Sequence, residues 1–221
     1  MKKLQTVKTI GEAWIEILSN IEENGIERQY TDNTNDYFGV KEVFGINIEI
    51  EEPKLPDPVI DKYKDQKEYD WMVANFTIQE EVKELFNANS YAVRLYNYMN
   101  SKNQIDWVIR RLKENPLQRS ATLTTFEPLT DELYIPCVSL LDFQKRVDET
   151  SNEDVLDFYV YARSLDFGTK AYVNMVMLTQ LLWTVAEKTG MKPGKLDLTV
   201  KSCHYRLDSV DKVKRILNDN R

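Results

Sequence analysis

The chain has 221 residues, 42% hydrophobic and 29% charged, which suits a folded protein with its own core and excludes a disordered or collagen-like chain. Its 29 basic and 36 acidic residues leave a net charge of −7, which excludes nonspecific coating of nucleic acid or an anionic membrane but leaves room for a few arginines around one phosphate. One histidine and two cysteines without a C-x-x-C spacing give no metal-ligand pattern. With no signal-peptide core and no apolar run of spanning length, a cytoplasmic location is expected and no membrane partner.

Trp14, Ile17, Leu18 and Ile21 fall at i, i+3, i+4 and i+7 and predict a helix over 11–24, with Gly25 as its C-terminal cap. The polar stretch 29–36 reads as a loop. Phe44, Ile46, Ile48 and Ile50 alternate with smaller or polar residues, as in a strand buried on one face. Pro53, Pro56 and Pro58 break regular structure, and 61–87 reads as helical in pieces. Ile105, Val108, Ile109 and Leu112 mark a helix that Pro116 ends. Three β-rich segments follow at 119–126, 133–143 and 155–163, with a polar hairpin loop at 148–154. A helix apolar on nearly all sides spans 170–188; Gly190 and a turn at 192–194 close it. A strand at 196–205 and a short helix at 210–217 complete the chain. No repeat or linker interrupts these elements, so one α/β domain over 1–221 is expected.

Four features invite chemistry. Cys137 follows Pro136 in an apolar segment and reads either as a small buried hydrophobe or as a thiolate nucleophile with positive charge nearby. Arg119 and Arg163 end strand-like segments, where a guanidinium either sits on a solvated edge or grips a phosphate, and Ser164 follows the second. Asn174 interrupts the apolar helix; its amide either bonds neighbouring backbone or reads the edge of a flat heterocycle. His204 ends the last strand, as a structural partner or as part of a site.

Taken in order, these residues resemble the thymidylate synthase family, which includes the nucleotide hydroxymethylases. The likeness rests on Ser90-Tyr91-Ala92-Val93-Arg94, on Gln104-Ile105 through Asn115-Pro116, and on Gln118-Arg119. It continues through Ile135-Pro136-Cys137, Tyr161-Ala162-Arg163-Ser164-Leu165-Asp166, Asn174, Met191-Lys192-Pro193-Gly194 and His204. The resemblance implies an α+β fold, a mixed β-sheet packed by helices, with one sheet face forming a homodimer interface. It implies one-carbon transfer from 5,10-methylenetetrahydrofolate to C5 of a pyrimidine nucleotide, with Cys137 attacking C6. Arg163, which would also favour the thiolate, and Ser164 would hold the phosphate, and Arg119 would reach the phosphate of the neighbouring subunit. Asn174 would bond the N3–O4 edge, His204 the sugar and Asp166 the pterin. Glu68, spaced from Trp71 as in the family's Glu-x-x-Trp, would handle protons, and Tyr91 would support the proton network.

The chain departs from the family pattern at Ala162, where Gln is expected, at Gln118, where a second arginine is expected, and at Arg206, where a sugar-binding Tyr is expected; Arg28 is not in register with the family's N-terminal arginine. The sequence stops at Arg221, so the family's long closing segment is expected to be lacking and water to enter more readily. Hydroxymethylation of a uridylate or cytidylate is therefore the expected reaction, with Asn174 favouring uracil. Reductive methylation of dUMP is the alternative, and a non-catalytic nucleotide- or RNA-binding member the alternative of another class.

Overall fold

The chain enters through strand β1 (Gln5–Val7) and turns into helix α1 (Ile10–Asn24) in the computed structural model, which describes residues 5–31 and 37–220. Thr9 accepts from the Glu12 amide while the Glu12 carboxylate takes the amides of Lys8 and Thr9, so the helix starts with its free N–H groups satisfied. Trp14, Ile17, Leu18 and Ile21 form the buried stripe that their spacing predicts. Gly25 does not take the left-handed conformation expected of a cap; its φ is −71°, and glycine stands there because a side chain would collide with the Ile21 carbonyl.

Strand β2 (Ile26–Thr31) pairs antiparallel with β3 (Tyr37–Ile50), so residues 29–31 of the expected loop are strand, and 32–36 lie outside the described residues. Helices α2 (Pro58–Tyr63) and α3 (Gln66–Thr77) fill part of the segment read as helical. Its remainder is instead a small hairpin, β4 (Glu81–Val82) and β5 (Ala88–Asn89), because Phe86 and Asn87 both sit at φ +57°, which no α-helix accommodates. Then come α4 (Tyr91–Tyr96), α5 (Gln104–Glu114), β6 (Thr122–Thr124), β7 (Val138–Val147), β8 (Asp154–Asp166), α6 (Ala171–Thr189), β9 (Lys192–Arg206) and α7 (Val210–Asp219). The turn expected at 192–194 is the start of β9, where Lys192 and Pro193 pair with β8.

The sheet runs β1-β3-β9-β8-β7-β6, with β2 also paired to β3. β1 with β3 and β8 with β9 are parallel, the other pairs antiparallel, so the sheet is mixed and the fold α+β, as expected. Helix α6 makes the crossover between β8 and β9 that a parallel pair requires. Thirteen of its residues are buried, which explains its apolar character on nearly every side. Gly190 ends it at φ +76°.

Along β3, β9 and β8 the buried face changes side. Val43 and Ile46, Val200 and Cys203, and Ala162 and Leu165 all lie in the core, leaving two consecutive residues between core positions in each strand. A strand with period-two side chains does this only through a local kink, which Gly45 at φ +68° allows in β3. The pairs Phe44↔Ser202, Ile46↔Val200, Ala162↔Val200 and Ser164↔Ser202 bring the three kinks into one row across the sheet.

Candidate active site

The kinked row delivers a cleft. Phe44, Arg163, Ser164, Lys201 and Ser202 are the side chains at the three kinks, and all five line an open cavity of about 320 Å³ with Glu42 and His204. Had the strands stayed regular, alternate members of these pairs would point into the core.

Cys137 lies at the edge of this arrangement. The strand expected over 133–143 begins only at Val138, and 133–137 runs as irregular chain before it. Pro136 has no N–H for a ladder. The Val138 amide donates to the buried Tyr91 hydroxyl at 2.9 Å, which pins the backbone directly after the cysteine. On the other side, Arg163 donates from Nε to the carbonyls of Ile135 (3.1 Å) and Pro136 (3.2 Å), and its amide donates to the Cys137 carbonyl at 2.8 Å. Arg163 Nη2 then stands 4.0 Å from Cys137 Sγ. The half-buried sulfur is thus held beside a guanidinium that also lines the cleft.

The electrostatics qualify the expectation that arginine favours the thiolate. Burial pushes the Cys137 thiol up and outweighs the pull of Arg163 and Lys170, while Asp166 adds to the rise. Burial likewise raises the Tyr91 phenol well above its ordinary range, with nearby Cys137 adding to the effect. Burial thus favours the protonated thiol at Cys137, and the Arg163 guanidinium beside the sulfur opposes it.

Ser164 Oγ and His204 Nδ1 lie 3.4 Å apart on adjacent strands. Burial holds the His204 imidazole below its ordinary pKa against the opposing charges of Asp166 and Glu42. Asn174, in the first turn of α6, donates from Nδ2 to the Lys170 carbonyl at 3.1 Å, while its buried Oδ1 has no partner. Asp166 accepts from the Gly168 amide (3.0 Å) and the Thr169 hydroxyl (2.8 Å), shaping the turn into α6. Glu68, 3.9 Å from Lys212, has its carboxyl raised mainly by burial, and it feels the charges of Asp166 and Lys170. Trp71, one turn on, carries Lys170 Nζ 4.5 Å from its ring centroid, so the Glu-x-x-Trp spacing turns both residues toward the start of α6.

Arg163, Ser164 and His204 therefore line the cleft, and Cys137 lies beside Arg163 at its edge. Tyr91 and Asp166 adjoin the cysteine, while Asn174 and Glu68 approach it by way of Lys170. Arg119 is not brought to them: it is exposed on the connection between α5 and β6, without an ion pair among the described residues. The sequence did not single out Glu42, Lys201 or Ser202. Their signal was a slip of phase in β9, where Leu196, Leu198 and Val200 are followed by Cys203 and Tyr205. Among the described residues no group of three or more His, Cys, Asp and Glu is arranged for a metal, and no helix is long and apolar enough to cross a membrane.

Comparison with known proteins agrees with this geometry. Residues 57–221 match the family model described as thymidylate synthase. A Methanosarcina mazei protein named "Putative thymidylate synthase" is 30% identical over 219 residues, covering 95% of this chain and 92% of that protein. A like-named protein of Methanosarcina barkeri is 29% identical over 224 residues, covering 97% and 94%. The thymidylate synthase of Mycoplasma genitalium is 26% identical over 152 residues, covering 63% and 51%.

Proposed function

The chain belongs to the thymidylate synthase family, whose members are transferases acting on pyrimidine nucleotides, and on that premise we propose that it transfers a one-carbon unit to C5 of a pyrimidine nucleoside monophosphate through a covalent Cys137 adduct. One observation carries the proposal: Arg163 fixes the Ile135–Pro136 backbone and lies 4.0 Å from the Cys137 sulfur while facing a cleft of nucleotide-accommodating size.

Cys137 gives up its proton and adds through sulfur to C6, which places an electron pair on C5 and makes that carbon a nucleophile. Arg163 stabilises the thiolate at the moment of attack and, with Ser164, holds the phosphate. Asn174 Oδ1 is an acceptor in need of a donor, and N3–H of uracil is one; the free Nδ2 proton suits O4. Cytosine would set its own acceptor N3 against Oδ1, so uracil is the proposed base. His204 meets the sugar. Glu68, its carboxyl raised by burial, and Tyr91 handle the protons that leave C5 and return. Methylenetetrahydrofolate supplies the one-carbon unit when bound. Asp166 fits it, because each carboxylate oxygen spends only one lone pair on its turn and keeps another for a ring N–H. A homodimer through the outer sheet face, where Leu140, Tyr159 and Tyr161 are exposed, completes the phosphate site with Arg119 of the neighbouring subunit.

The transferred carbon stands on C5 as an exocyclic methylene; addition of water makes it hydroxymethyl and addition of hydride makes it methyl, and in either case the C6–S bond breaks and returns the Cys137 thiolate. The open cleft favours water, and hydroxymethylation is the proposed outcome; the name carried by the relatives favours methyl as the second reading. Incubation with dUMP and methylenetetrahydrofolate tests this by mass of the nucleotide product. A gain of one hydroxymethyl without dihydrofolate is expected, and a methylated product with stoichiometric dihydrofolate overturns the hydroxymethyl branch.

A further inference from the structure

The cleft contains a cation that none of the expected roles uses. Lys201 stands in the kink of β9, between the core residues Val200 and Cys203, in the same row as Arg163 of β8. It is exposed and lines the cleft with Arg163 and Ser164. A surface lysine ordinarily finds water or a neighbouring carboxylate, and a carboxylate is present: Glu42 lies buried in the same wall. Yet Glu42 is already taken, by the Tyr30 hydroxyl at 2.6 Å, Arg28 at 3.2 Å and Ser202 at 2.8 Å. Among the described residues Lys201 has no hydrogen bond or ion pair. Arg163, for its part, spends donors on two carbonyls and has no carboxylate within ion-pair distance among the described residues. Among the described residues the cleft thus holds two positive charges without a counter-ion, in a chain whose net charge is −7. A hydroxyl donor, Ser164, follows Arg163 and pairs with Ser202, one position beyond Lys201.

We propose that Lys201 is a phosphate ligand of this cleft, contributed by the same subunit as Cys137. The inference rests on the nucleotide reading above and adds a residue to it. The charge is supplied from within the chain, at a position set by the kink. An ammonium accepts many phosphate orientations where a guanidinium fork selects few, so Lys201 contributes affinity more than direction.

Equilibrium binding of dUMP and deoxyuridine to the full chain and to its Lys201→Met and Lys201→Arg variants tests it, alongside tritium release from C5 of dUMP by the wild type. Lys201→Met is expected to weaken dUMP by about tenfold or more, the scale of one charge-assisted contact, and to leave deoxyuridine binding as it was. Its salt dependence should flatten by roughly one counter-ion, and Lys201→Arg should restore most of the affinity. The proposal is overturned if Lys201→Met binds dUMP like the wild type, if it loses dUMP and deoxyuridine alike, or if the wild type prefers neither. Wild-type tritium release with an unaffected Lys201→Met would sink the lysine alone. Lys201-dependent dUMP binding without tritium release would uphold the lysine and sink the catalytic reading.

Discussion

Two arginines show how differently one side chain can be spent in this molecule. Arg94, on α4, is 1% exposed, and every donor group of its guanidinium is answered: both Nη atoms meet Asp131 at 2.7 Å, Nη1 also reaches the Thr125 carbonyl, and Nε the Asn89 carbonyl. Arg163, on β8, has carbonyls on one side, a sulfur at 4.0 Å, and the cleft on the other. The first charge is neutralised inside the protein and serves the fold. The second faces the cleft without a carboxylate partner among the described residues. Desolvated ion pairs of the Arg94 kind are expensive to break because the surviving charge stays buried. An arginine of the Arg163 kind costs little stability to remove and much function.

The sharpest way to break this contrast is at the sulfur itself. Cys137→Ser keeps the shape of the site and is expected to lower product formation by on the order of a thousandfold or more, measured as nucleotide turnover, with Tm little changed. Next in size, Asp131→Asn strands the buried Arg94 charge and should cost about 3–5 kcal/mol, seen as a fall in Tm on the order of 10 °C. Arg163→Met should show the opposite profile. The thiol of Cys137 loses the cation that opposes its burial, so alkylation by iodoacetamide needs higher pH, and dUMP affinity falls by about tenfold to a hundredfold. A large Tm loss in Arg163→Met with normal nucleotide binding would reverse the two roles.

Asn174→Asp sharpens the contrast at the base. A carboxyl that can donate where Oδ1 only accepts should move the preference from dUMP toward dCMP by about tenfold or more in relative affinity. The smallest effect concerns pH. His204 is held below its ordinary pKa by burial, so its contribution to stability is complete above the unfolded value of 6.5 and is lost as pH falls toward the lower folded value. Between pH 7 and 5, Tm of the His204→Asn variant should therefore fall less steeply than that of the wild type.

Helix α1 was legible in the sequence through the period of Trp14, Ile17, Leu18 and Ile21, and α6 through sheer apolar density, whereas α4, six residues long, was not legible. β2 was not, since all six of its residues are exposed and nothing alternates. The hairpin of β4 and β5 was hidden by an apolar Phe86 that sits at positive φ, a property of its turn that spacing does not carry. Motif likeness reached Cys137, Arg163, Ser164 and His204, and the fold sets the last three in one cleft with Cys137 beside Arg163. Glu42 and Lys201 belong to no motif. They enter the cleft only because three strands kink in register, a relation between residues 45, 163 and 201 that no local window contains.

Release of tritium from C5 of labelled dUMP bears most directly on the central claim, because it needs only the addition of Cys137 to C6, the gain of a solvent proton at C5 and the loss of the triton. Wild-type protein is expected to release tritium to water in a time-dependent way, and Cys137→Ser to release none above the uncatalysed background. Firm binding of dUMP, UMP, dCMP or CMP by the wild type with no tritium release from any of them would contradict the account.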